Sequence, residues 1–185
     1  MTIETPRLLL REMTEDDYDA LCRVLGDSDV MQHYPHTFDE ARVRNWIARN
    51  IERYRTFGFG LWAVCLKESG EMIGDCGLTM QMIHGVIKPE IGYHIRADQQ
   101  RKGYAREAAA AVRDWAFRTL PFGVIYSYMK YTNEPSFQCA LSWGCRQVDE
   151  YADDVNEFTK VCAITREEWE GLMNNKQQRR PPLPL

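Results

Sequence analysis

No apolar stretch in this chain is long enough to span a bilayer, and its six cysteines, Cys22, Cys65, Cys76, Cys139, Cys145 and Cys162, form no C-x-x-C pair. The first absence argues against a transmembrane protein. The second argues against a zinc ribbon or a thioredoxin-like centre, so the cysteines read as small buried hydrophobes in a reducing compartment. Met1-Thr2-Ile3-Glu4-Thr5-Pro6 lacks the charged-then-apolar pattern of a secretory signal, and a cytoplasmic protein is expected. There is no P-loop lysine motif, no G-x-S-x-G elbow and no H-E-x-x-H helix. Basic charge is short as well. Lys and Arg number 23 against 27 Asp and Glu, a net charge of −4, which leaves no broad basic face for nucleic acid. No internal repeat is visible.

What is there fits one domain of 185 residues. A first strand covers 7–12. Thr14-Glu15-Asp16-Asp17 opens a helix that stops near Gly26. Thr37-Phe38-Asp39-Glu40 has a capping-box pattern and opens a second helix, with Val43, Trp46, Ile47, Ile51 and Tyr54 on one face and Gly58 at its end. Residues 59–66 and 72–82 form a hairpin, and His84-Gly85 turns the chain into a third strand ending at Ile95. An alanine-rich helix runs to about Thr119. Then follow a strand at 124–129, a short helix opened by Pro135 and closed by Gly144, strands at 146–151 and 158–164, and a last short helix from Thr165. The order β-α-α-β-β-β-α-β-α-β-β makes an α/β (α+β) mixed sheet with helices on both faces. Residues 1–175 form the domain and 176–185 a flexible proline-rich tail.

The most informative run is Gln100-Arg101-Lys102-Gly103-Tyr104-Ala105-Arg106, between the alternating strand Pro89-Glu90-Ile91-Gly92-Tyr93-His94-Ile95 and the alanine-rich helix. The N–H groups of a helix's first turn have no intrahelical partner, and the helix dipole favours an anion there. Arg101, Lys102 and Arg106 add positive charge, and Gly103 lets the backbone approach a ligand. This is a phosphate-holding design.

With the downstream turn Asn133-Glu134-Pro135-Ser136 and the order of elements, the chain resembles the GNAT superfamily of acyl-CoA-dependent N-acyltransferases. Gln100 to Ala105 fits its [Q/R]-x-x-G-x-[G/A] signature, and Asn133 to Ser136 its N-x-x-S turn. Thr5-Pro6-Arg7-Leu8-Leu9-Leu10-Arg11 resembles the start of the branch containing ribosomal-protein N-terminal alanine acetyltransferases. Ala97 departs from the family's usual proline, and Cys145 from a larger apolar residue. The resemblance implies a mostly antiparallel central sheet, splayed where the cofactor binds (the acyl-CoA N-acyltransferase fold). It implies acetyl-CoA as cosubstrate, with its pyrophosphate on Arg101, Lys102, Gly103, Tyr104, Ala105 and Arg106. Its pantetheine arm would bond the backbone near His94, Ile95 and Arg96, and Asn133, which also reads as a plain N-cap.

Transfer to an amine needs a neutral nucleophile, hence a base. Alternation puts Glu90, Gly92 and His94 on one strand face, with Glu90 and His94 about 7 Å apart. Glu90 is the first candidate and His94 the second, with Tyr128, Tyr131 and Asp75 as further alternatives. Ser136 is placed to donate toward the leaving thiolate. His33, Tyr34 and His36 lie on a loop that lines the acceptor pocket in the resembled family; no carboxylate or cysteine at ligand spacing makes them a metal site. The expected protein is an N-acetyltransferase, a monomer or homodimer acting on a peptide N-terminus or a small-molecule amine, with no metal, nucleic-acid or membrane partner. The alternative is a non-catalytic acyl-CoA sensor.

Overall fold

Unbroken burial in the central strands and one-sided burial in the helices place a sheet between two cores. The structure is a computed structural model and describes residues 1–178. The strands are β1 (Thr2–Glu4), β2 (Leu8–Arg11), β3 (Leu61–Leu66), β4 (Met72–Ile83), β5 (Val86–Ile95), β6 (Val124–Lys130), β7 (Arg146–Asp153) and β8 (Glu157–Thr165). The helices are α1 (Tyr18–Leu25), α2 (Glu40–Phe57), α3 (Tyr104–Thr119), α4 (Glu134–Ser142) and α5 (Arg166–Gln178). All eight strands join one sheet in the order β1-β2-β3-β4-β5-β6-β8-β7. Every neighbouring pair is antiparallel except β5 with β6. The mixed, mostly antiparallel α/β fold is therefore the one the sequence predicts.

On one face, Ala108, Ala109, Val112 and Ala116 of α3 pack with Ala140 of α4 and Trp169 of α5 on Trp62, Val64, Ile91 and Ile125. Small side chains let α3 lie close to the strands. On the other face, Leu21, Val24 and Leu25 of α1 and Val43 and Ile47 of α2 pack on Leu61, Ala63 and Cys65. β3 thus serves both cores through alternate residues, which explains its unbroken apolar run.

Three local expectations change. β1 is an additional strand, too short at three residues to stand out by alternation. The cap of α2 is Asp39, whose carboxylate accepts the Arg42 N–H, rather than Thr37. The working capping box lies earlier, at Thr14 and Asp17. Helix α5 continues through Gln178, so Lys176, Gln177 and Gln178 of the expected tail are helical; residues 179–185 lie outside the described residues.

β4 pairs with β3 only as far as Gly77, then continues with β5 as a two-stranded ribbon. Its tip, His84-Gly85, has positive φ at both residues, as a tight hairpin turn requires. The tip reaches β7, where the His84 ring stacks on Tyr151 at 4.4 Å and Nδ1 lies 2.8 Å from an Asp149 carboxylate oxygen. Ile83, Thr159 and Val161 are buried yet belong to neither main core.

Candidate active site

β5 ends where its neighbours part. Its register with β6 is a single parallel pair, Glu90 with Tyr126. Arg96 N–H donates to the Ile73 carbonyl, so alternation aims the backbone groups of Tyr93 and Ile95 at the β6 side, beyond that pair. The Gln100 side-chain amide donates to the Ile95 carbonyl at 2.9 Å and holds the loop against the strand end. Arg101 and Gly103 both take left-handed φ, 63° and 83°, so the chain folds back before α3 begins at Tyr104. Among the described residues no side chain caps α3. Its first helical hydrogen bond runs from Glu107 N–H to the Gly103 carbonyl, which leaves the preceding amides for a ligand. Glu107 meanwhile accepts from Thr5 and Arg7, tying the helix start to the link between β1 and β2.

From that helix end a cavity of about 650 Å³ runs between β5 and α4, lined among others by Arg101, Gly103, Arg106, Ile95, Ser136 and Tyr34. Asn133 Oδ1 accepts the Ser136 N–H at 3.1 Å, and Pro135 stands in the first turn of α4. Across the cavity the Tyr93 hydroxyl donates to the Ser136 carbonyl at 3.0 Å and lies 3.2 Å from the Ser136 hydroxyl. With Tyr93's only proton on that carbonyl, the Ser136 O–H donates to the Tyr93 oxygen.

At the inner end four side chains join. Asp75 is fully buried in β4, opposite His94 in the sheet register. Its two oxygens accept from Trp46 Nε1 and meet His94 Nδ1, each at 2.8 Å. His94 Nε2 lies 2.9 Å from the Tyr34 hydroxyl. Burial pushes the imidazole down, but Asp75 and then Glu90 outweigh it, and the pKa of His94 is raised. Beside this group Gly74 is obligatory, since a Cβ there would stand 2.1 Å from the His94 carbonyl oxygen. Glu90 is buried, with one hydrogen bond from the Thr79 hydroxyl at 3.2 Å; burial, only partly offset by Thr79, His94 and Arg53, pushes its pKa up to about 8.

The Acetyltransferase (GNAT) domain family matches residues 7–146. The chain belongs to the GNAT acetyltransferase family. The Bacillus subtilis protein YkkB is 31% identical over 161 residues, 86% of this chain and 91% of its own. A GNAT-family acetyltransferase from Bacillus anthracis superposes with a TM-score of 0.76 at 26% identity, over 90% of this chain and 99% of that one. A ribosomal-protein-S5-alanine acetyltransferase from Vibrio fischeri superposes with a TM-score of 0.74 over 91% and 98% of the two chains; at 16% identity that likeness is of fold.

In this GNAT domain the cavity brings together His33, Tyr34, His94, Ile95, Arg101, Gly103, Tyr104, Ala105, Arg106, Asn133 and Ser136. Four expected residues stay outside it. Arg96 turns away to Glu71 and Asp98, at 2.7 and 2.5 Å, and its N–H is already in the sheet. Lys102 Nζ is held by Gln99. His36 lies beside Phe38, ring to ring at 6.4 Å. Glu90 sits at the point where β5 and β6 still touch, away from the cavity wall. Tyr93, Gln100 and Trp46 carry bonds that the sequence did not announce. Tyr93 was legible only as an apolar strand position and Trp46 only as part of an apolar helix stripe. Among the described residues no group of three His, Cys, Asp or Glu is gathered for a metal ion, and no helix is long and apolar enough to cross a membrane.

Proposed function

We propose that the protein transfers the acetyl group of acetyl-CoA to an amine by direct attack in a ternary complex. The observation that carries this reading is the continuity of the cavity. It starts at the N-terminus of α3 with Arg101 and Arg106, follows the parting of β5 from β6, and ends at Tyr34 and His94, behind which Asp75 is buried. The first end suits a pyrophosphate through amide N–H groups and positive charge. The middle offers strand-edge backbone groups to the pantetheine amides. The inner end holds the proton-accepting side chains an amine needs. Glu90 and His94 share that strand face and are the two candidate bases. Ser136 and Tyr93 supply hydroxyls on the thiolate side.

The acceptor is either a protein N-terminus, as in the ribosomal-protein branch, or a small-molecule amine. Calorimetry with acetyl-CoA tests the cofactor half of the reading. Release of free thiol across N-terminal peptides and small amines tests the transfer and names the acceptor class. Binding with release on one class is the expected result. Binding without release from any amine would turn the reading toward an acyl-CoA sensor, and absence of binding would end it.

A further inference from the structure

We propose that Tyr34 is a catalytic residue of this transfer, relaying the acceptor's proton to His94, with Asp75 and Trp46 as the positioning residues behind it. The inference rests on the transferase reading above and assigns the base within it. The directions of the hydrogen bonds follow from what each group has to give. Asp75 takes an indole N–H on one oxygen and faces His94 Nδ1 with the other. A carboxylate only accepts, so the proton between them belongs to Nδ1. In its neutral form His94 presents a lone pair at Nε2, to which the Tyr34 hydroxyl, 2.9 Å away, donates. The relay therefore stands ready to move a proton inward.

Tyr34 occupies the position an amine must approach. Both Tyr34 and His94 line the cavity, together with Tyr93 and Ser136. Because the phenol covers Nε2, the imidazole is reached through the phenol oxygen, which has a lone pair to spare. Glu90 lacks this access, being buried where β5 and β6 still pair and away from the cavity lining. The groups facing His94 are Asp75 from β4, Glu90 from β5, Tyr34 from the loop and the Trp46 indole from α2. The loop is seated by the same indole that holds Asp75: Phe38 packs edge-on against Trp46 at 5.4 Å, and Trp46 edge-on against His94 at 5.9 Å.

In the step itself the amine nitrogen forms a bond to the thioester carbonyl carbon. It gives one proton to the Tyr34 oxygen as the phenol proton passes to His94 Nε2. The carbon–sulfur bond then breaks, and the CoA thiolate takes a proton from solvent or from the Ser136 hydroxyl, which solvent reprotonates. His94 returns its proton to solvent through Tyr34. The products are an amide and free CoA thiol, and no oxidant or metal enters.

Tyr34→Phe deletes one oxygen and keeps the ring. With the acceptor found on the panel, kcat should fall about 100-fold, the scale of one general acid–base group. Acetyl-CoA affinity by calorimetry should stay unchanged. Asp75→Asn should move the rising limb of the kcat–pH profile to lower pH, because Asp75 is what raises His94; a purely structural role would lower the plateau without moving the limb. If Tyr34→Phe keeps kcat within twofold of the wild type while acetyl-CoA binding and wild-type turnover stand, the relay is wrong and the transferase reading survives. If the wild type neither binds acetyl-CoA nor releases CoA, the transferase reading falls and takes the relay with it.

Discussion

His94 meets Asp75, and His84 meets Asp149, at the same 2.8 Å from Nδ1 to a carboxylate oxygen. The side chains of the first pair are 8% and 0% exposed; those of the second are 57% and 36% exposed. Inside, the attraction acts in a low dielectric, the second Asp75 oxygen is taken by Trp46, and the second imidazole nitrogen is taken by Tyr34. Outside, water and salt compete for the same bond, and the His84 ring is held by stacking on Tyr151 rather than by a chain of donors. The contrast teaches that distance alone does not make a proton relay. What distinguishes the inner pair is burial together with a partner for each carboxylate oxygen and each ring nitrogen.

The sharpest way to break this contrast is to remove the inner carboxylate. Asp75→Ala leaves a buried indole N–H and a buried imidazole without their acceptor, and should lower stability by about 3–5 kcal/mol. Urea unfolding measures it; a loss under 1 kcal/mol, no larger than that of an exposed pair, would erase the difference between the two sites.

The inner site should also make stability depend on pH. Glu90 is raised to about 8 in the folded protein. Below the carboxyl pKa of the unfolded chain both states are protonated and the contribution is complete. Above it the unfolded chain ionises while folded Glu90 stays protonated, so stability falls as pH rises toward 8, by up to about 1.4 kcal/mol per unit. His94, also raised, acts in the same direction. Glu90→Gln should therefore flatten the decline between pH 5 and 8 and make the variant the more stable protein at pH 8. Parallel melting-temperature profiles for the two proteins would contradict the burial argument.

A smaller effect separates the two pairs by their second partners. Trp46→Phe keeps the aromatic stack but removes the N–H donor to Asp75. It should cost about 1–2 kcal/mol, since one buried acceptor loses its bond. Tyr151→Leu at the outer site has no equivalent donor to lose, and its unfolding midpoint is the control.

The α3 end of the cavity was legible as structure because its signals are local. The alternation of β5, the Gln100–Ala105 loop and the alanine face of α3 occupy one continuous stretch, and each follows from a backbone period or an uncapped helix end. The inner end was half legible. Strand alternation put Glu90 and His94 on one face, but which of them meets the cavity depends on where β5 leaves β6, and that is set by a strand on the far side of α3 in the chain. Asp75 joins His94 through strand register across 19 residues, and Trp46 joins Asp75 across 29. A tryptophan in an apolar helix stripe packs the same way whether or not its N–H finds a carboxylate, so pattern alone cannot separate the two cases. The side chains of Arg96 and Lys102 are held by Glu71, Asp98 and Gln99, outside the cavity lining. Charge near a glycine-containing loop is visible in sequence; competition for that charge is a matter of three dimensions.

The smallest effect belongs to the outer pair, and it tests the lesson from the other side. Asp149→Asn removes the charge that faces His84 but keeps an oxygen able to accept from Nδ1, and leaves the stack on Tyr151 in place. The Asp149 carboxyl is held below its usual pKa chiefly by His84, yet it faces water, so most of that attraction is already screened. The expected outcome is no resolvable change in melting temperature at ordinary ionic strength, and acetyl transfer equal to the wild type, since neither residue lines the cavity. A measurable loss of acceptor turnover with unchanged acetyl-CoA affinity would mean that the hairpin tip, held down over β7, shapes the acceptor side of the site. The exposed pair would then matter through the ribbon it fastens rather than through any proton it carries.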